Sequence, residues 1–305
     1  MTRVPVILNP IAGGGRLLRG QSALKAAAAD RGFGLDIWLS ESPTHTIELA
    51  ERAAADGLPL VLAYGGDGTY NSVARGLLGS ETSMGVLPGG TTSVLAYEFD
   101  IPRPAPRAVD ALLGGEDRTM RVGRTDAGDI VLMMLSAGPD SHVLERLFPS
   151  FKRLGGRVGV ALQAVVEAIR GGDLPHMTVE ANGVIDDAGW VIVGNARCYA
   201  GRFCATPGAD PFRDDLEVVT QLSKGRRAAI AFISGIPSGR HVARDDVVRE
   251  VVSRVRVRPS SPRDAIPYQI DGDVVGILPV EISIDPLPLR IRLPSQRLAK
   301  RSVEI

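Results

Sequence analysis

Residues 61–71 read VLAYGGDGTYN, an apolar run that turns through two glycines into an acid, a third glycine, a threonine and an asparagine. Val61, Leu62 and Ala63 have the character of a buried strand, and Thr69 to Leu78 that of the helix after it. Gly65, Gly66 and Gly68 remove side chains where the backbone must turn sharply and where a bulky anion could approach it. A phosphate at this turn would meet the unpaired N–H groups of a helix N-terminus, which favour negative charge. Asp67 could orient a nucleotide or act on a metal through water. The alternative is a tight strand-to-helix turn that needs glycine only for its geometry, so the neighbouring motifs must decide.

Two similar units flank it. Val4–Leu8 is a short apolar strand that ends at Asn9 and Pro10, runs through Gly13–Gly15 and enters a helix expected from about Arg16 to Asp30. Met84–Leu87 is another, followed by Pro88, Gly89, Gly90, Thr91, Thr92 and Ser93 and a helical stretch to about Glu98. Between them Leu35–Leu39 forms a strand, and Ser42, Pro43 and Thr44 start a helix to about Ala55, with Thr44 either an N-cap or a hydroxyl for phosphate. Strands alternating with helices predict a parallel sheet. Its strands place their carboxyl ends together, so the loops after Leu8, Ala63 and Leu87 open on one edge, where ligands bind in such sheets.

From Arg118 onward the pattern changes to short strands with turns between them: Ile130–Leu135, Met177–Glu180, Trp190–Gly194, Leu216–Leu222, Val247–Val257, Tyr268–Ile270, Val274–Leu278 and Val280–Ile284. This predicts a second, antiparallel domain beginning near residue 120. One helical stretch interrupts it, Leu144–Ile169, with Val158, Leu162, Val165, Val166 and Ile169 on one face and Lys152, Arg153, Arg157 and Arg170 flanking them. That stretch is either a helix packed on the β domain or a face for anionic lipid. Asp271 and Asp273, in QIDGD, bracket a glycine and can present two carboxylates to one site or simply form a hairpin turn.

Composition narrows the function. The 305 residues suit two domains. Thirty-five basic residues balance 35 acidic ones, so bulk charge does not suggest nucleic acid, and few aromatics argue against base stacking. Cys198 and Cys204 make neither a disulfide framework nor a zinc pattern, which suggests a reduced, cytoplasmic protein. The histidines at 45, 142, 176 and 241 lack metal-ligand spacing. No signal peptide and no apolar run of membrane-spanning length is expected.

Taken together, NPIAGGG at 9–15, GGDGTYNSV at 65–73, LPGGTTSVLA at 87–96, SAGPDS at 136–141, NARCYAG at 195–201 and QIDGD at 269–273 resemble the diacylglycerol kinase catalytic family, which includes soluble bacterial lipid kinases and the sphingosine kinases. The resemblance implies a Rossmann-like parallel α/β nucleotide domain over residues 1–120, an antiparallel β-sandwich lipid domain over 121–289, a tail at 290–305 able to dock back on the first, and an active site in the cleft between the domains. It implies ATP held by Asn9, Pro10, Gly13, Thr44, Gly65, Gly66, Asp67, Gly68, Thr69, Asn71 and Thr91, with Asp271 or Asp273 deprotonating a lipid hydroxyl. Magnesium would accompany the nucleotide, and a structural magnesium is implied at Asp214 and the Leu216 carbonyl. The expected activity is ATP-dependent phosphorylation of diacylglycerol or a related lipid, in phospholipid metabolism at the inner membrane face, by a possible homodimer. GGDGT is shared with NAD kinases, which leaves a kinase of a soluble acceptor as an alternative. Ser72, Ser93 and Asp273 depart from the family's usual residues, and motivate a further alternative, a non-catalytic nucleotide- or lipid-binding regulator.

Overall fold

The computed structural model describes residues 2–90, 92–151, 165, 174–223 and 225–295. Two compact units divide the chain: residues up to Arg121 together with those from Pro286, and Val122–Asp285.

In the first unit β1 (Thr2–Leu8), β2 (Phe33–Leu39), β3 (Leu60–Gly65) and β4 (Ser83–Pro88) form a parallel sheet in the order β2-β1-β3-β4. The run Val6–Leu8 and the whole of β3 are buried, as parallel strands covered on both faces require. The last strand, Leu289–Leu293, lies between β4 and β5 (Glu116–Met120), parallel to the first and antiparallel to the second. Helices α1 (Gln21–Ala29), α2 (Pro43–Ala55), α3 (Asp67–Leu77), α4 (Val94–Glu98) and α5 (Ala105–Leu113) connect these strands, with α2 packed on α3 and α1 on α5. Gly76 permits the first contact, since a Cβ there would stand 2.6 Å from the Ile47 carbonyl oxygen. The helix expected from Arg16 begins only at Gln21. Gly13, Gly14 and Gly15 adopt φ of 59, 69 and 77°, a left-handed run that no α-helix accommodates.

The second unit is antiparallel and β-rich. It contains β6 (Gly123–Thr125), β7 (Ile130–Val131), β8 (Met134–Ala137), β9 (Met177–Glu180), β10 (Val184–Gly194), β11 (Cys198–Tyr199), β12 (Phe203–Cys204), β13 (Leu216–Leu222), β14 (Val247–Val252), β15 (Arg254–Pro259), β16 (Pro267–Ile270), β17 (Asp273–Ile277) and β18 (Val280–Ile284). The main sheet runs β17-β16-β8-β10-β9-β15-β18-β6-β7, with β13 branching from β10 and β14 from β13. Ile270 near one end of that path and Val131 at the other share one core with Val193 and Val255, so the sheet curls around its own apolar side chains. Two expectations need correction. The single strand Val247–Val257 breaks at Ser253 because β14 pairs with β13 whereas β15 pairs with β9 and β18. The long helix starts earlier, at Pro139, and α6 spans Pro139–Phe151.

A helix absent from the sequence reading, Arg226–Gly235, buries Ala229, Phe232 and Ile233 against Trp190 and Ile192. Val165 is buried in the same cluster. Lys152, Arg153, Arg157, Val158, Leu162, Val166, Ile169 and Arg170 lie outside the described residues, as do Thr91 and residues 296–305. Among the described residues no helix is long and apolar enough to cross a membrane.

Candidate functional site

The strand order locates a ligand site before any side chain is considered. The chain passes from β1 outward to β2, then returns across β1 to add β3 on its other side. The carboxyl ends of β1 and β3 therefore flank the point where the winding reverses, the crevice in which open α/β sheets bind ligands. Asn9 and Gly65 stand there. Asn9 spans the crevice: its N–H donates to the Tyr64 carbonyl at 3.1 Å, and its Nδ2 donates to Thr69 Oγ1 at 3.2 Å. Its Oδ1 accepts the Ile11 N–H at 3.1 Å, which fixes the start of the first glycine loop.

The three loops pack directly on one another. A Cβ at Gly13 would meet the Gly89 carbonyl oxygen at 2.6 Å, and one at Gly65 would meet Thr69 Oγ1 at 2.3 Å. The N–H groups of Gly89 and Gly90 both donate to the Gly65 carbonyl, at 2.9 and 2.7 Å. Beneath them the buried Tyr70 hydroxyl bonds the carbonyls of Gly65 (2.8 Å) and Leu87 (3.0 Å), and lies 3.3 Å from Ser93 Oγ. Burial, with the Asp67 charge adding to it, pushes the Tyr70 hydroxyl far above the ordinary phenol range, so it remains a neutral donor. Glycine at these places permits close approach of backbone to backbone. It also leaves α3 without a side-chain cap at Gly66, whose carbonyl accepts the Thr69 N–H at 2.9 Å.

Asp67 opens α3. Its Oδ2 accepts the Thr92 hydroxyl at 3.1 Å and its Oδ1 the Leu95 N–H at 3.3 Å, which joins the second loop to the third. Burial raises its pKa, opposed by those hydrogen bonds and by the Arg103 charge. Arg103 itself donates from Nη2 to the Thr92 carbonyl at 3.1 Å and lies over the Tyr97 ring, 4.9 Å from its centroid. A cavity of about 620 Å³ opens at the ends of β3 and β4, lined by Gly20, Ala23, Tyr64, Pro88, Arg103 and Ala105. That volume falls within the ~300–1,000 Å³ of small-molecule sites.

Of the residues expected at this site, Asn9, Gly13, Gly65, Gly66, Asp67 and Thr69 come together, and Pro10 lies within the first loop. Gly68 is exposed in the first turn of α3, and Asn71 is half-buried one turn further. Thr44 is exposed in the first turn of α2, whose cap is Ser42, with Oγ accepting the His45 N–H at 3.0 Å. Tyr70 and Arg103 were missed. Arg103 sits in a proline-rich punctuation with no periodicity to mark it, and only the packing brings it to Thr92.

In the second unit Asp271 and Gly272 have φ of 52 and 94° and form the two-residue turn between β16 and β17, as Asp-Gly does in tight hairpins. The Asp271 carboxylate accepts three backbone N–H bonds, from Leu132 (3.0 Å), Met133 (2.9 Å) and Met134 (3.1 Å). Those occupy three of the roughly four acceptor sites of a carboxylate. The Gln269 side chain fixes the turn by accepting the Gly272 N–H at 2.7 Å. Asp273, half-buried, begins β17.

A further acid, Asp140, is buried in the first turn of α6. It accepts the Tyr199 hydroxyl at 3.1 Å and lies 3.4 Å from the Ser141 hydroxyl, while Trp190 Nε1 donates to Ser136 Oγ beside it. Burial raises the Asp140 pKa, and burial beside Asp140 pushes Tyr199 upward as well. Asp140 and Tyr199 are functional candidates that motif spacing did not single out. Both lie in quoted motifs, SAGPDS and NARCYAG, so an acid following an apolar strand was the available signal.

Among the described residues no cluster of three or more His, Cys, Asp or Glu side chains could hold a metal. Asp214 is exposed, Leu216 opens β13, and between them Asp215 pairs with Arg213. Asp214 and the Leu216 carbonyl supply two oxygens beside that guanidinium, and a magnesium there would take its other ligands from water, as would one that arrives at Asp67 with nucleotide phosphates.

Family models match both units: a diacylglycerol kinase catalytic domain over residues 3–125, and a YegS C-terminal NAD kinase beta sandwich-like domain over residues 135–293. The chain belongs to the diacylglycerol kinase family. A diacylglycerol kinase of Mycobacterium tuberculosis is 26% identical over 299 residues, covering 96% of this chain and 95% of that protein. A diacylglycerol kinase of Bacillus subtilis is 22% identical over 286 residues, covering 92% and 93%. The crystal structure of a diacylglycerol kinase from Bacillus anthracis superposes with a TM-score of 0.71 at 17% identity, covering 95% of this chain and 96% of that one, and shows the shared fold.

Proposed function

We propose that this chain is an ATP-dependent lipid kinase that transfers the γ-phosphate to a hydroxyl of diacylglycerol or a related lipid. The observation that carries the reading is the uncapped N-terminus of α3 at the winding reversal of the sheet, built from glycines whose missing Cβ atoms let three loops converge. Such a terminus suits a phosphate chain. Asn9 and Thr69 orient the loop, and Asp67 and Arg103 set its charge.

Phosphoryl transfer rests on positioning and charge stabilisation, with a carboxylate to accept the hydroxyl proton. Asp67 would hold a magnesium that arrives with the nucleotide, directly or through water, and that ion would supply neutralisation of phosphate charge. The Asp271–Asp273 turn supplies the base on this reading, with Asp271 held in a fixed orientation by three amides. Membrane association at the inner face, and pairing of two copies, belong to the same proposal.

The engagement of Asp271 also supports a second reading, nucleotide binding without transfer. One experiment separates the two. Labelled γ-phosphate transfer from ATP with magnesium is measured to diacylglycerol in mixed micelles and to a bacterial lipid extract, beside direct ATP binding. A labelled lipid that is lost with Asp271→Asn or with Asp273→Asn supports the kinase. ATP binding with no labelled lipid or soluble acceptor, NAD included, overturns it in favour of the binder.

A further inference from the structure

The sequence holds two cysteines, at positions 198 and 204, and the fold sets them directly across from each other. Cys198 in β11 pairs with Cys204 in β12, and Tyr199 with Phe203, in an antiparallel two-stranded ribbon. The pair just outside is hydrogen-bonded, since Ala205 N–H donates to the Arg197 carbonyl at 3.0 Å. Hydrogen-bonded and non-hydrogen-bonded pairs alternate along an antiparallel ladder, so Cys198 and Cys204 occupy the non-hydrogen-bonded kind. There Cα atoms lie ~4.5 Å apart and side chains approach most closely. A disulfide accepts Cα separations of ~4.4–6.8 Å, so this pair meets the requirement without backbone movement.

The ribbon is held in place from several sides. Tyr199 and Phe203 pack on the cluster that contains Trp190 and Phe232, and Ala205 is buried within it. The Tyr199 hydroxyl donates to Asp140 at 3.1 Å, and Thr206 Oγ1 donates to the Ala196 carbonyl at 2.7 Å. Ala200 and Gly201 make the reversal with φ of 46 and 106°. Both cysteines are only half-buried, which leaves them within reach of a small oxidant.

We propose that Cys198 and Cys204 form a reversible intramolecular disulfide when the protein meets a peroxide. One thiolate attacks the peroxide O–O bond, becomes a sulfenic acid and releases one water after proton uptake. The facing thiol sulfur then attacks the sulfenic sulfur, the S–S bond forms, and the sulfenic oxygen leaves as a second water with the thiol proton. The two cysteines lose two electrons in total and the peroxide gains them. A dithiol reverses the bond by exchange. The bridge ties the ribbon shut one residue from Tyr199, and so fixes that hydroxyl on the buried Asp140 carboxylate.

The test uses the full chain, folded, treated with hydrogen peroxide, with remaining thiols then alkylated and the protein digested by trypsin without reduction. Cleavage after Arg197, Arg202 and Arg213 separates a peptide of residues 198–202 from one of residues 203–213. The expected product is these two peptides joined, lacking two hydrogens relative to their sum, from protein that runs as a single chain on a non-reducing gel. That species disappears after dithiothreitol and in Cys198→Ser. A Cys198→Ala/Cys204→Val variant with an unchanged melting temperature assigns the loss to the missing sulfurs and not to unfolding. Separately alkylated or singly oxidised peptides from folded protein, or a bridge joining two chains, overturns the proposal.

Discussion

Gly90 lies so close to Gly66 that a Cβ at position 90 would stand 2.7 Å from the Gly66 Cα. The obstacle is backbone, which cannot swing aside as the tip of a side chain can. Gly90→Ala is therefore expected to push the third loop off the second and lower stability by ~1–3 kcal/mol, the usual range for overpacking. ATP affinity should fall with it, because the α3 terminus shifts. Urea unfolding and calorimetric ATP titration measure the two effects. An unchanged midpoint with unchanged affinity contradicts the loop contact.

Arg103 joins Thr92, Tyr97 and the Asp67 charge. Arg103→Met keeps much of the apolar stem and removes the guanidinium. A hydrogen bond to a charged group contributes ~1.5–3 kcal/mol, equivalent to roughly 10–100-fold in an equilibrium or rate. The kinase reading expects that loss in kcat/KM for ATP, with little change in melting temperature because the side chain lies at the surface. Equal activity in the variant would remove Arg103 from the site.

The two acids of the hairpin should separate by their effects on folding. Asp271→Asn turns one acceptor oxygen into an amide donor facing backbone N–H groups, so it should lower the melting temperature as well as activity. Asp273→Asn makes no such conflict in those three bonds and should lower the melting temperature less than Asp271→Asn does. General-base loss typically costs ~10²–10⁴ in rate, and the variant with that loss at native stability identifies the base.

His241 is buried against Phe232, with Nε2 2.8 Å from the Ala205 carbonyl. Burial lowers its pKa below the ordinary 6.5. Below that ordinary value the unfolded chain takes up a proton that the folded ring still refuses, so stability is lost as pH falls through this window and retained above it. His241→Gln should flatten the slope of the urea midpoint between about pH 7 and 5. A wild-type slope of the opposite sign would show that other groups dominate.

The loop at Asp214 should behave as a salt-bridged turn. Arg213 pairs with Asp215, and Arg249 pairs with the buried Glu217 whose Oε2 accepts the Gly208 and Ala209 N–H groups. Chelation with EDTA is expected to leave the melting temperature unchanged, whereas Arg249→Met should lower it, at a stability cost below the ~3–5 kcal/mol of a fully buried pair because Arg249 is half-exposed and Glu217 keeps its two amide donors. A fall in melting temperature on chelation would restore a structural cation to the loop.

Local physics decided much of this chain in advance. A short apolar run bounded by turn residues, such as Val61–Ala63 before Gly65, reads as a strand buried on both faces, and glycines between strand and helix mark loops free of side chains. Asp271-Gly272 makes its turn from its own backbone preferences. Those features announced an α/β sheet with glycine loops, an antiparallel β-rich region and the hairpin acids. What they do not contain is the choice of neighbours. Ser253 divides one apolar stretch because its two halves meet different strands, and Arg103 reaches Thr92 only through packing. Gly13 is required by Gly89, not by its own turn alone. Cys198 faces Cys204 through register, and Asp140 is buried through its partners Tyr199 and Ser141. Residue preference acts over a few bonds and is legible in order along the chain, whereas burial and partner choice come from contacts between distant segments, which only the folded structure decides.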